Sequence, residues 1–151
     1  MFKKAVVGGT FDRLHKGHKK IIKKAFDIAE SVIIGLTSDE FANRFRTSES
    51  HPYKERGRAV EDYAKELSKS YEIVEINDSY GVATINPEIE CIVVSEETLL
   101  RAEEINAIRF KKGLSKLDIL VIPIVLAEDG GAISSERIIK KEIDSEGRLE
   151  K

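Results

Sequence analysis

Five short apolar runs, Ala5-Val6-Val7, Ser31 to Leu36, Tyr71 to Ile76, Cys91 to Ser95 and Leu117 to Pro123, alternate with longer segments whose apolar residues recur every three or four positions. The runs are rich in Val and Ile and lack strict polar alternation, so each reads as a strand covered on both faces. The intervening segments read as helices. Gly17 to Glu30 carries Ile21, Ile22, Ala25, Ile28 and Ala29 on one stripe, and Lys54 to Leu67 carries Ala59, Val60, Tyr63, Ala64 and Leu67. A third helix runs from about Glu96 to Lys112, where Gly113 can end it, and a fourth from Ser135 to Ile143. Strand followed by helix, repeated with right-handed crossovers, implies an α/β fold: a single Rossmann-like, doubly wound domain with a five-stranded parallel sheet. Ligands in such folds bind beyond the carboxyl ends of the strands, where strand order reverses. Chemistry is therefore expected just after strands one, two, four and five.

The chain has 151 residues, the size of one domain, expected over residues 1–143 with a frayed C-terminal tail over 144–151. Residues 38–53 are long for a connection and suggest a functional loop. No apolar run reaches the ~18 residues of a membrane span, and Met1-Phe2-Lys3-Lys4 leads straight into a strand, so a cytoplasmic protein without a membrane partner is expected. The 25 basic and 27 acidic residues are spread evenly, without the basic excess that nucleic acid demands. The single cysteine, Cys91, excludes an internal disulfide and a cysteine-built metal site, and reads as a small buried strand residue. Nothing in the sequence sets the oligomeric state, and a monomer is among the states it allows. Charged residues make up 34% of the chain and glutamine is absent, the pattern of a thermophile surface. A melting midpoint above the mesophile range of about 45–65 °C is thus expected, and a calorimetric scan placing it within that range would contradict a thermophilic source.

Two stretches carry chemistry. In Gly8-Gly9-Thr10-Phe11-Asp12-Arg13-Leu14-His15-Lys16-Gly17-His18, the first glycines let the backbone turn tightly after strand one, and Gly17 opens a helix. Free N–H groups and the positive dipole end then converge on one spot, which favours an anion. His15 and His18 can donate to it, Thr10 adds a hydroxyl from the opposite wall, and Gly17 leaves room for a flat base or sugar. In Ala132-Ile133-Ser134-Ser135-Glu136-Arg137-Ile138, Ser134 and Ser135 stand where a helix begins, suited to a cap and equally to a phosphate nest. The spacing matches neither the dinucleotide glycine fingerprint nor the triphosphatase phosphate loop. From the residues alone the reading is a phosphate-binding Rossmann-like domain.

Gly9-Thr10-Phe11-Asp12 and His15-Lys16-Gly17-His18 resemble the marks of the nucleotidylyltransferase superfamily, whose Ile-Ser-Ser/Thr motif corresponds to Ile133-Ser134-Ser135. Within it the chain is most similar to the archaeal-type phosphopantetheine adenylyltransferase family, through Ile34 to Phe41, Pro52-Tyr53 with Arg56, Val93 to Thr98, Ile105-Asn106 with Arg109, and Pro123 to Asp129. The resemblance implies transfer of the adenylyl group of ATP to 4'-phosphopantetheine. By it, Thr10 orients the attacking phosphate and His18, with His15, stabilises the α- and β-phosphates. Gly8, Gly9, Phe11, Gly17, Arg109, Ser134, Ser135 and Arg137 hold ATP, and Arg109 would grip the β- or γ-phosphate. Arg44, Arg46, Tyr53 and Arg56 are implied on the acceptor side. Mg²⁺ is expected to arrive on the ATP phosphates rather than in a protein cage, with Asp12 either touching its waters or stabilising the turn. Glu136 departs from the family's usual Thr, and Asn43 stands where Lys or Arg is usual. Rival readings are a cytidylyltransferase for an alcohol phosphate, a nicotinamide mononucleotide or flavin adenylyltransferase, and a non-catalytic ATP sensor.

Overall fold

The computed structural model describes residues 1–44 and 49–150. In chain order the elements are β1 (Phe2–Gly9), α1 (Lys16–Ile28), β2 (Ala29–Thr37), α2 (Asp39–Asn43), α3 (Tyr53–Glu66), β3 (Ser70–Ile76), a 3₁₀ turn (Gly81–Thr84), β4 (Cys91–Ser95), a second 3₁₀ turn (Glu96–Thr98), α4 (Leu99–Lys111), β5 (Asp118–Ile122) and α5 (Ser135–Ile139). All strand pairs are parallel, in the order β3-β2-β1-β4-β5. The five-stranded doubly wound sheet expected from the alternation is thus present. Successive side chains point to opposite faces, and both faces are covered. Val7, Val32, Ile34 and Val93 meet Ile22 and Phe26 of α1 and Val60 of α3, while Val6, Ile33, Ile92 and Val94 meet Ala102 and Ile105 of α4.

The order reverses between β1 and β4, and there the ladder is short. β1 stays paired with β2 as far as Gly9↔Leu36, yet its partners on β4 are only Ala5↔Cys91 and Val6↔Ile92. Beyond Val6 the two strands part, which opens the sheet at the end where ligands are expected.

Several elements differ from the sequence expectation. The stretch from Ser38 to Tyr53 contains a five-residue helix, α2, capped by Ser38, whose hydroxyl accepts from Phe41 N–H. The helix expected from Glu96 starts three residues later, because Ser95 and Thr98 cap a 3₁₀ turn through each other's backbone N–H groups. The final helix stops at Ile139, not Ile143. Residues beyond Ile143, expected to fray, instead turn back. Ile143 pairs with Leu149, Asp144 N–H donates to the Arg148 carbonyl, and the Ser145 carbonyl accepts from Lys16 N–H at the start of α1. The turn closes at Gly147, with φ +81°, where a Cβ would come within 2.7 Å of Ile133.

Arg109 is the largest departure. Its guanidinium is 1% exposed and donates to the carbonyls of Ser115 (2.7 Å), Ala83 and Asn86 (both 2.9 Å) and Ile89 (3.4 Å). Burial pushes it below its ordinary pKa. It is a cross-link between α4 and the 83–89 segment, turned away from the cleft, because carbonyls that enter the core need donors just as phosphates do. Arg109→Met should therefore lower unfolding free energy by about 3 kcal/mol or more, read by urea titration, since several carbonyls lose a charged donor at once.

Candidate active site

The loop leaving β1 is built under strain and locked from several sides. Phe11 and Arg13 both lie in the left-handed region, with φ of 49° and 46°, which non-glycine residues rarely adopt. Phe11 is held because its buried ring packs over Gly9, where a Cβ would stand 3.3 Å from it. Asp12 is fully buried. Its carboxylate accepts from His51 N–H at 2.9 Å and pairs with Arg13, and its carbonyl accepts the Ser135 hydroxyl at 2.6 Å. Asp12 is thus the lock of the turn, the second of the two roles considered for it.

The two histidines cap α1 through each other. His15 is the N-cap, its Nδ1 accepting from Gly17 N–H (3.0 Å) and His18 N–H (3.3 Å), while His18 Nδ1 accepts from His15 N–H (3.3 Å). The rings stack with centroids 3.6 Å apart, and the edge of Phe11 meets His18 at 5.3 Å. An Nδ1 that accepts carries no proton, so each imidazole presents Nε2–H as its donor. Burial lowers the pKa of His15 from 6.5 to about 4, keeping it neutral. Gly17 serves this arrangement directly: a Cβ there would lie 2.9 Å from Cε1 of His15. The missing side chain spares the His15 ring, a role beyond the one expected for it.

His18 stands at the waist of a two-part cleft. One compartment, about 240 Å³, lies between the parted β1 and β4, with Gly8, Gly9, Thr10, Phe11, Thr37 and Tyr80 among its walls and Arg101 at its edge. The other, about 230 Å³, lies between α1 and the β5 end, with His15, Gly17, Pro123, Ser134 and Ser135 on its walls. His18, Ile21, Ser95 and Glu97 line both.

The remaining expected residues are placed as follows. Ser134 caps α5, its hydroxyl accepting from Arg137 N–H at 3.2 Å, and the Ser135 hydroxyl is committed to Asp12. Arg137 lines neither compartment. It binds Asp129, Glu142 (3.0 Å) and the Ala132 carbonyl (3.1 Å), so its expected grip on a triphosphate is replaced by two carboxylates, which raise its pKa as it lowers that of Asp129. Arg56, expected at the acceptor, is 2% exposed. It donates to His51 O (2.8 Å), Thr10 O (2.9 Å), Thr37 O (2.9 Å) and Asp39 (3.0 Å), and so braces the walls from behind. Tyr53 packs on the core with its ring 5.7 Å from that guanidinium. Arg44 is exposed, 3.7 Å from Glu40, and Arg46 lies outside the described residues. Sequence reasoning missed Thr37, Glu97 and Arg101 as cleft residues. Thr37 ends β2, at a strand end already marked for chemistry, and that signal pointed to it.

A doubly wound sheet with a two-histidine helix start at its switch point defines a nucleotide-handling class. The cytidylyltransferase-like family model matches residues 6–141. A phosphopantetheine adenylyltransferase from Methanosarcina mazei is 47% identical over 98% of this chain and 97% of its own, and one from Methanothermobacter thermautotrophicus is 44% identical over 95% and 87%. The bifunctional phosphopantetheine adenylyltransferase/NTP phosphatase of Thermoplasma volcanium is 47% identical over 95% of this chain, which spans only 44% of that protein. A crystal structure of an Archaeoglobus fulgidus protein of unknown function superimposes with a TM-score of 0.73, at 33% identity over 87% of this chain and 99% of that one. The chain belongs to the cytidylyltransferase-like family, and within it to the archaeal phosphopantetheine adenylyltransferases.

The unfolded chain binds a proton at His15 near pH 6.5 and the folded chain only near 4, so acidification through that window favours unfolding, by about 3 kcal/mol in all. His15→Asn, which keeps a capping acceptor, should flatten this part of the pH dependence when denaturation midpoints of the two proteins are compared from pH 7 to pH 4.

Proposed function

We propose that the chain transfers the adenylyl group of ATP to 4'-phosphopantetheine, giving dephospho-coenzyme A and pyrophosphate. The observation that carries this reading is the two-part cleft that meets at His18, since adenylyl transfer needs a nucleotide and an acceptor phosphate in line at one point. Relatives aligned over nearly their whole length are phosphopantetheine adenylyltransferases, which supports the acceptor and the group transferred. The ATP phosphates lie over the start of α1, where the dipole end and the His18 imidazole favour them, the first N–H groups of the helix being engaged by His15 and by the Ser145 carbonyl, with Ser134 on the far wall. The acceptor occupies the other compartment with its phosphate near Thr10.

An acceptor phosphate oxygen attacks the α-phosphorus. The new P–O bond forms as the bond to the bridging oxygen of pyrophosphate breaks, and the electron pair leaves with pyrophosphate. A phosphate monoester is already largely dianionic near neutral pH, so no general base is needed and catalysis rests on positioning and charge stabilisation. His18 donates Nε2–H to the α-phosphate as charge develops, from a ring fixed by its Nδ1 bond, by Phe11 and by the stacked His15. His15 acts mainly by holding the helix start. Bound to the ATP phosphates rather than to a protein cage, Mg²⁺ would offset part of their charge. The donor set suits that route, because the Asp12 carboxylate is buried and engaged by Arg13 and His51, leaving Glu97 as the carboxylate on the shared wall.

Pyrophosphate release with ATP and Mg²⁺ should appear with 4'-phosphopantetheine and not with nicotinamide mononucleotide, flavin mononucleotide or glycerol 3-phosphate, nor with CTP as donor. Release with another pair would keep the phosphate site and replace the acceptor, while ATP binding without release would favour the sensor. In the same assay His18→Ala should cost about two orders of magnitude in kcat, the loss typical of one preorganised oxyanion donor.

A further inference from the structure

Two threonines from neighbouring strand ends touch at the wall of the acceptor compartment. The hydroxyl of Thr37, the last residue of β2, donates to the hydroxyl oxygen of Thr10, the residue after β1, at 3.0 Å. Behind them lies Arg56, whose Nη1 donates to the Thr10 carbonyl at 2.9 Å and approaches the Thr37 hydroxyl oxygen at 3.4 Å. Thr37 is 5% exposed and Arg56 2%, so water has little access to this contact.

The polarity of the chain follows from its buried end. A guanidinium can only donate, so one lone pair of the Thr37 oxygen accepts from Arg56, and its own proton remains to be donated. Thr10 Oγ1 is the acceptor that the structure shows for it. A lone pair of Thr10 is thereby occupied, and the single Thr10 proton is directed away from Thr37. Thr10 also lines the compartment beside Gly8, Gly9 and His18, so that proton is turned toward the space that an acceptor phosphate would fill.

We propose, resting on the adenylyl-transfer reading, that Thr37 is a positioning residue: held by Arg56, its hydroxyl sets the rotor of Thr10 so that Thr10 donates to the attacking phosphate. Thr10 touches substrate and Thr37 acts through it. A free hydroxyl samples three staggered wells, whereas this one is barred from the well facing Thr37, which biases it toward the compartment.

Thr37 itself lines the compartment, so direct contact with substrate is the competing role, and a double-mutant cycle separates the two. Wild type, Thr37→Val, Thr10→Ala and the double variant are compared for pyrophosphate release with ATP and 4'-phosphopantetheine. Thr37→Val should lower kcat about tenfold with the KM for ATP unchanged, as for loss of one orienting hydrogen bond. Thr37→Ser, which keeps the hydroxyl, should stay within about threefold of wild type, and Thr37→Val in the Thr10→Ala background should cost less than about twofold. Equal losses in both backgrounds would overturn the positioning role, as would a Thr37→Ser enzyme as slow as Thr37→Val. If Thr37→Val fails to fold, Thr37→Ala takes its place in the cycle. Wild-type release with a different acceptor alone would overturn the acceptor assignment while the cycle is read on that acceptor; a wild type silent with every acceptor would overturn both readings.

Discussion

Strand order in a parallel sheet is set by the handedness of its crossovers, and here that constraint creates the site. From β1 the chain winds to β2 and β3 on one side, then returns to lay β4 and β5 on the other. Right-handed connections place the helices of the two halves on opposite faces, so the loops leaving β1 and β4 diverge. The ladder between them ends at Val6↔Ile92. Past that pair both strands expose backbone and small side chains to a shared gap, and the start of α1 closes one side of it. Cleft, helix dipole and histidine pair therefore come from the same topological fact.

The described walls of this cleft hold few cations. Three arginines expected at the site, Arg109 and Arg137 on ATP and Arg56 on the acceptor side, are instead engaged by carbonyls and carboxylates, and Arg56 and Arg109 are almost wholly buried. What faces the cleft from α1 is a helix start whose His15 is kept neutral by burial. Fixed dipoles, here the helix end and a held imidazole, suit a reaction whose charge shifts by a few ångströms, because they need not reorganise as it moves. Arg101, on the wall of the compartment between β1 and β4, adds long-range attraction for an anion.

What could be read from the sequence divides along the range of the contacts involved. The strands and main helices follow from local periodicity, and β4 matches its expected bounds, Cys91–Ser95. The histidine motif was legible because its parts lie within eleven residues and converge through one turn and one helix start. The arginines were misplaced for the opposite reason. Three of the four carbonyls that hold Arg109 lie 20 to 26 residues away, Arg56 depends on Thr10 at a separation of 46, and a guanidinium satisfies a carbonyl with the same donors it offers a phosphate. The C-terminal turn escaped notice likewise, since its partners, Lys16 and Glu128, lie in distant segments.

The strain in the first loop fits this division of labour. Two non-glycine residues at positive φ are tolerated because Asp12 between them is tied to Arg13, His51 and Ser135, which join the loop to both the α3 and α5 segments. Such a turn has few alternative conformations, so Thr10 and His18, on either side of it, keep a fixed separation across the cleft waist. Confining catalytic donors in this way trades local backbone strain for preorganisation, with the cost carried by buried bonds outside the reacting space. The Asp12 carboxylate and the Ser135 hydroxyl are thus part of how the cleft is shaped, although neither oxygen is turned toward the reaction.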